Sequence, residues 1–388
     1  MNDEKKIIVE DVSQINLNQI SENASKRITA LRFILIVLVV FIHNCYTTNT
    51  IQTIINSGGI PPIFIENRLG QWLKLFISYG IARGAVPVFF LFSAFLQATK
   101  NDDYKILLKK KAKSLIIPYV IWMFFYAFYY GGIKLIISTI APNILQNPGD
   151  TLLNWSFIDW IHKILGYKLN IQGNLEPPEF ANQFWFIRDL IILTVLSPVI
   201  KYFIKKIPIG FFCLLTIIYL FPIQIYFVET QALFFYSLGL FWGYYNLPIF
   251  ETIDKMTLLE TCLLFILTFI LTYVCQTNGK GTSSYWIMCL TSSMVLIKLS
   301  SYLICNIRIY NCCSYLAGYS FFLFAIHEPV LNSIITKIWI RFFPMKNTFF
   351  SLLQYFIPTI ITIVVGTMIG IILKKILPKF FRLLTGGR

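Results

Sequence analysis

Arg32 and His43 stand eleven residues apart in LRFILIVLVVFIHNCY (31–46), a run that is otherwise almost wholly apolar. The two side chains suit different chemistry. A histidine, with an ordinary pKa near 6.5, is the side chain best placed to take and return a proton near neutral pH. An arginine anchors phosphate or carboxylate. In a helix, eleven steps make three turns plus about 20°, so both project from one face, about 16 Å apart along the axis. Lipid cannot solvate such a stripe, which should therefore face a bundle interior or a water-filled cavity. The blander alternative has Arg32 snorkelling to headgroups and His43 bonding a neighbouring helix. On these residues alone the two stand level.

Three other groups could join this chemistry. KNDDYKILLKKKAK (100–113) places Lys109, Lys110, Lys111 and Lys113 within a turn and a half, on the side where Arg32 lies. Such a cluster draws phosphate, either of lipid headgroups or of an anionic cofactor. FWFIRDL (184–190) buries Arg188 and Asp189, and adjacent residues on a helix point apart, so two separate partners are expected rather than a self-contained ion pair. AIHEPVL (325–331) puts His327 and Glu328 beside Pro329, whose missing N–H frees a carbonyl at a local break. The chain has eight Cys, no C-x-x-C and only three His, so no metal site is expected, and the cysteines read as small buried hydrophobes.

The elements that must position these groups are long apolar runs. Of 388 residues, 56% are hydrophobic and only 13% charged, too few charges to cover a water-soluble domain of this size. Runs of about 20 residues recur from Arg27 almost to the end, continuous rather than alternating, which excludes a β-barrel. The expectation is an all-α polytopic membrane protein with about ten transmembrane helices: 29–48, 79–99, 115–138, 184–203, 208–227, 231–247, 257–276, 284–304, 315–337 and 349–374. A tail (1–26) precedes a transmembrane domain (27–376), and a basic tail (377–388) follows. Of 33 Lys and Arg, 21 fall on the side of the N-terminus, 8 on the other and 4 within spans, which predicts both termini in the cytoplasm. The same retention of basic residues explains the net charge of +15, so no nucleic-acid partner is expected and membrane lipids are. One long outer connection, 139–183, carries Asp150, Trp155, Asp159, Trp160, His162, Glu176, Pro177, Pro178 and Glu179, and its aromatics lie on the membrane surface or form a lid.

In this order the motifs resemble the acyltransferase 3 family of integral-membrane acyltransferases, over most of residues 27–335. Arg32-x10-His43 fits the family's first-span signature. GAVPVFFLFSAFL (84–96) is similar to its V-P-x-F-F-x-x-S-G-F-x-L stretch, with Ala94 where Gly is usual. KKAKSLIIPYVIW (110–122) resembles its basic segment, with Lys in place of Arg. FWFIRDLIILTVLSPVI (184–200) and YSFFLFAIHEPVL (319–331) resemble later spans.

The resemblance implies an acyl-CoA donor, usually acetyl-CoA, used from the cytoplasm of a bacterium through its inner membrane. It implies a hydroxyl acceptor on a surface polysaccharide or lipid-linked sugar. Donor phosphates would sit near Arg32, Lys109, Lys110, Lys111 and Lys113, and the thioester near His43. His43 would act as general base and Arg188 would polarise the thioester or orient the acceptor. His327 and Glu328 are candidates for substrate binding, with packing an equal alternative, and Ser93 is expected to pack rather than act as nucleophile. The competing reading is a polysaccharide exporter or flippase without acyl transfer. A glycan polymerase would want Arg in its large outer loop, and 139–183 has none.

Overall fold

An apolar chain in lipid can satisfy its backbone only within helices or a closed barrel, and the computed structural model shows helices. The structure describes residues 21–44, 68–100, 102–140, 153–166, 180–221, 223, 225, 227–277, 282–344 and 347–387. Among these there is no strand. Six helical segments are long and apolar enough to cross a membrane: Leu69–Thr99, Tyr104–Ile140, Leu258–Cys275, Ser283–Cys305, Ser320–Phe342 and Thr348–Ile376. The other four expected spans also hold helices, α1 (Glu22–His43), α7 (Trp185–Lys206), α8 (Pro208–Leu220) and α9 (Thr230–Tyr244). They are not among the six: α8 and α9 are short, with 13 and 15 residues, while α1 and α7 carry charges along their length. The chain is a multi-pass α-helical membrane protein.

α1 begins at Glu22, inside the segment expected to be a tail, because Ser21 caps it and Lys26 pairs with Glu22 one turn on, at 2.6 Å. It packs on α3 (Ala85–Thr99), α12 (Thr282–Cys305), α13 (Ile307–Ala317) and α14 (Ser320–Ile326). Arg27 fixes its register. The buried guanidinium donates to both Asp254 oxygens (2.5 and 3.1 Å), to Ser300 Oγ (2.7 Å) and to the Ile297 carbonyl (3.0 Å), and lies over the Phe250 ring. Asp254 ends the short α10 (Ile249–Asp254) and also receives Lys298. Partial burial pushes its carboxyl up, but the Arg27 bonds and charge, with Lys298, outweigh that and leave its pKa below the usual value.

α3 meets α9 at backbone distance. A Cβ on Gly239 would lie 2.2 Å from the Leu91 carbonyl oxygen and 2.9 Å from Ala94 Cβ, and one on Gly243 would lie 2.7 Å from Ala98 Cβ. Gly239-x3-Gly243 thus seats on Ala94-x3-Ala98, the small-residue contact that lets membrane helices approach closely. Ala94, where the resemblance expects Gly, is part of this contact.

The segment entering α3 is not one straight helix. After α2 (Arg68–Lys74) comes a wide π turn (Leu75–Gly80), then a tight 3-10 turn (Ile81–Gly84). Ser292 of α12 donates to the Ile81 carbonyl at 2.7 Å, taking up a group that the break frees. Further along, Tyr104–Ile140 runs as α4 (Tyr104–Lys111), a π turn (Ala112–Ile116) and α5 (Ile117–Ile140).

Within the long connection, Phe157–Leu165 forms α6, started by a Ser156–Asp159 capping box and closed by Gly166 in the left-handed region (φ 68°). The hydrogen bonds from Ser156 hold the Asp159 carboxyl below the usual range. Trp160 packs on Phe124 and Trp155 on Phe180, so these aromatics lie against the bundle. Asp150 and Glu176 to Glu179 fall outside the described residues, as does Cys45. Of the seven described cysteines, all free, only Cys289 is buried. The expectation of buried cysteines fails: Cys213 is exposed on a face of α8, where lipid is as apolar as a core, and Cys305 and Cys312 are exposed at and beyond the end of the expected span 284–304.

α11 (Leu258–Thr277) pairs with α12 through a Thr268–Thr291 hydroxyl bond of 2.8 Å. The chain closes with α15 (Asn332–Phe342), α16 (Thr348–Ile376) and α17 (Pro378–Thr385), the last a helix inside the expected basic tail.

Candidate active site

The break at Pro329 builds one half of the site. Glu328 leaves helical geometry (φ −117°, ψ 152°), as the residue before a proline tends to. The carbonyl four residues before Pro329 is Ala325's, and it gains other partners: the Tyr126 hydroxyl at 2.8 Å and the Gln183 amide at 3.3 Å. The same two side chains reach the Glu328 carbonyl, Tyr126 at 3.0 Å. α5 and the 3-10 turn Asn182–Phe184 just before α7 therefore hold the broken strap in place.

That strap presents His327 edge-on to His43, with ring centroids 5.2 Å apart. His327 is fully buried. Its Nδ1 lies 2.7 Å from the Phe324 carbonyl and 3.2 Å from that of Leu323. Carbonyl oxygens only accept, so Nδ1 carries the proton, and Nε2 offers a lone pair that is buried and unpartnered among the described residues. His43, at the end of α1, is half-buried, and no described residue bonds its ring. Glu328 turns its carboxylate to Asn332 Nδ2 (3.1 Å), which also approaches the His43 carbonyl (3.4 Å).

A third group joins the histidines. Arg83, in the 3-10 turn before α3, acts electrostatically on His43 and lies over Tyr79 at 4.6 Å. Its Nε is buried with no partner among the described residues. The same guanidinium also bonds Tyr285 of α12. In the sequence Arg83 and Pro87 interrupt the expected span 79–99, the kind of imperfection at which function can sit.

Arg32 lines a separate cavity of about 570 Å³ with Lys100, Lys110, Lys111, Ser93 and Gln97. Lys110 is also paired with Asp102 at 2.8 Å. Gln97 receives the Tyr236 hydroxyl (2.9 Å) on its oxygen and keeps a buried, unpartnered Nε2. Ser93 thus faces a cavity. Lys109 is exposed and lines neither this cavity nor the next, while Lys113 lines a second one with Lys379 and Arg382.

The Arg32 cavity stops short of the histidines. Phe89 lines it and touches Phe186 (5.7 Å), Phe186 touches Phe324 (5.8 Å), and Phe324 touches His327 (6.1 Å). An aromatic layer thus separates the cation-lined chamber from the histidine pair.

Arg188 is buried at the start of α7. Contrary to the expectation of separate partners, its Nε pairs with Asp189 at 2.9 Å. Each also has a second tie: Arg188 Nη1 caps α6 at the Leu165 carbonyl (3.0 Å), and Asp189 receives the Glu229 amide (2.8 Å). The long arginine side chain bends back along the helix and overcomes the divergence of neighbouring Cβ bonds. Among the described residues no group of three His, Cys, Asp or Glu converges as a metal site.

Residues 25–374 match the family model described as an acyltransferase domain. The chain belongs to the acyltransferase 3 family. Along 375 residues it is 22% identical to the succinoglycan biosynthesis protein ExoH of Rhizobium meliloti (strain 1021), covering 94% of this chain and 93% of the relative. No solved structure matches. Within this acyltransferase 3 domain, α1 lines the Arg32 chamber and ends at His43, where the Pro329 break brings His327 against it.

Proposed function

We propose that this chain is a membrane O-acyltransferase. It moves an acetyl or similar short acyl group from cytoplasmic acyl-CoA to a hydroxyl of a surface polysaccharide or lipid-linked sugar, in the inner membrane of a bacterium. The observation that carries the reading is the placement of a cation-lined chamber and an unshackled histidine on one face of α1. Arg32, Lys100, Lys110 and Lys111 suit the donor's phosphates. The slender acyl-bearing arm then passes the Phe89–Phe186–Phe324 layer to reach His43. The relative's role in succinoglycan biosynthesis supports a glycan acceptor for this chain.

At the histidines, His43 takes the proton of the acceptor hydroxyl as that oxygen attacks the thioester carbonyl. The new C–O bond forms, negative charge gathers on the carbonyl oxygen, and the C–S bond breaks. The proton held by His43 passes to the departing thiolate. Arg83, with an uncommitted Nε, stabilises the developing oxyanion. His327 does not reach solvent and acts through His43, its fixed tautomer offering Nε2 as acceptor. Arg188 is assigned to the carbonyl or acceptor side with less freedom, since Nε and Nη1 are already engaged.

The test is transfer of a labelled acetyl group from acetyl-CoA by the purified protein in lipid, together with mass spectrometry of surface glycans from cells with and without it. An unmodified but exported polymer in the deletion strain is expected. Loss of the polymer altogether, with no transfer in vitro, would establish the exporter reading instead.

A further inference from the structure

The lysine run divides between two chambers. On an ideal helix Lys113 would sit about 60° around the axis from Lys110. The π turn Ala112–Ile116 intervenes, and Lys113 instead lines a cavity of about 430 Å³ with Lys379 and Arg382 of α17. Ile117 and Leu383 form its apolar wall and the Gly386–Gly387 turn its end. No acidic side chain lines it, and among the described residues none pairs with the three cations.

α17 is fixed from below. Phe381 and Leu384 are buried, the former against Phe322 and Tyr319, and Trp122 Nε1 donates to the Leu384 carbonyl at 3.0 Å. The other face turns Lys379, Arg382 and the half-exposed Leu383 outward. From the cavity mouth an exposed apolar stripe climbs α5 through Ile117, Val120 and Phe124. Gly386 has a positive φ of 69°, and a Cβ there would lie 2.4 Å from the Ser114 carbonyl oxygen. This turn therefore rests on Ser114, which also lines the Arg32 chamber.

We infer that this cavity binds an anionic phospholipid, with the phosphate on Lys113, Lys379 and Arg382 and an acyl chain along Ile117, Val120 and Phe124. Unpaired cations call for an anion, and the adjoining apolar stripe favours one that carries a hydrocarbon chain. Basic pockets between membrane helices recognise headgroups in this way. Occupancy would brace α17 against the wall shared with the Arg32 chamber. The site does not depend on the acyl-transfer reading, and its test does not use activity.

The full-length protein is reconstituted in phosphatidylcholine with and without phosphatidylglycerol. Retained lipid is read by native mass spectrometry, and thermal unfolding is followed in parallel. The wild type should retain phosphatidylglycerol preferentially and melt higher when it is present. The Lys379→Gln/Arg382→Gln double variant should lose about thirty-fold in affinity, at roughly one surface-cation increment per residue. Lys113→Gln, which leaves α17 untouched, should lose several-fold on its own. No preference for phosphatidylglycerol in the wild type would overturn the inference. So would an unchanged preference in both variants, or displacement of the lipid by inorganic phosphate or coenzyme A at concentrations that match its own affinity.

Discussion

Replacing Arg27 tests how α1 is held. Arg27→Met removes two bonds to Asp254 and one each to Ser300 and Ile297, leaving the Asp254 carboxylate with Lys298 at 3.4 Å. Breaking a buried ion pair by deleting one partner costs about 3–5 kcal/mol. The Asp254 side chain is 33% exposed, so water recovers part of that, and about 2–3 kcal/mol is expected. Arg27→Lys keeps the charge but not the forked geometry and should cost about 1–2 kcal/mol. The assay is unfolding in mixed micelles, or half-life at fixed temperature where unfolding is irreversible. A double-mutant cycle with Asp254→Asn should return a coupling of at least about 1.5 kcal/mol. The pH dependence carries a sign. The folded Asp254 pKa lies below its unfolded value, so its contribution is complete above the ordinary carboxylate pKa and is lost as pH falls through the depressed one. Asp254→Asn should flatten that acid limb. An Arg27→Met protein within about 0.5 kcal/mol of wild type, or effects that simply add, would refute the clamp.

Gly239→Val should destabilise by at least about 1–3 kcal/mol, measured by unfolding, since its Cβ would meet the Leu91 backbone rather than a movable side chain. Tyr126→Phe should cost about 0.5–1.5 kcal/mol while Gln183 remains, and Tyr126→Phe/Gln183→Ala more than the two separately, because the Ala325 and Glu328 carbonyls are then stranded. Arg83→Lys should lower kcat by about ten-fold or more with little change in donor KM. A KM effect alone would move Arg83 to donor binding.

Much of the site could be read in the sequence because helical periodicity is local. Eleven residues decide that Arg32 and His43 share a face, and Pro329 announces a break whichever helices surround it. What escaped depends on distant partners or on irregular turns. Arg27 looked like one more flanking cation, because Asp254 and Ser300 are hundreds of residues away. Arg83 is visible in the sequence as a charge in an apolar run, but its electrostatic tie to His43 is not, since it depends on the π and 3-10 turns of 75–84, and the π turn at 112–116 carries Lys113 away from its neighbours. The pairing of Arg188 with Asp189 runs against their diverging Cβ directions, because the long arginine arm curls back to its short neighbour. Of the ten expected spans, four rest on helices too short or too charged to be recognised by length and composition.

The central claim is that His43 moves the proton in acyl transfer, and it is tested by single-turnover transfer from acetyl-CoA in the His43→Gln protein, with donor binding measured alongside. The account requires unchanged donor binding, since His43 lies beyond the Arg32 chamber, and a chemical step slowed by about 10²–10⁴-fold. Transfer at the wild-type rate would contradict it.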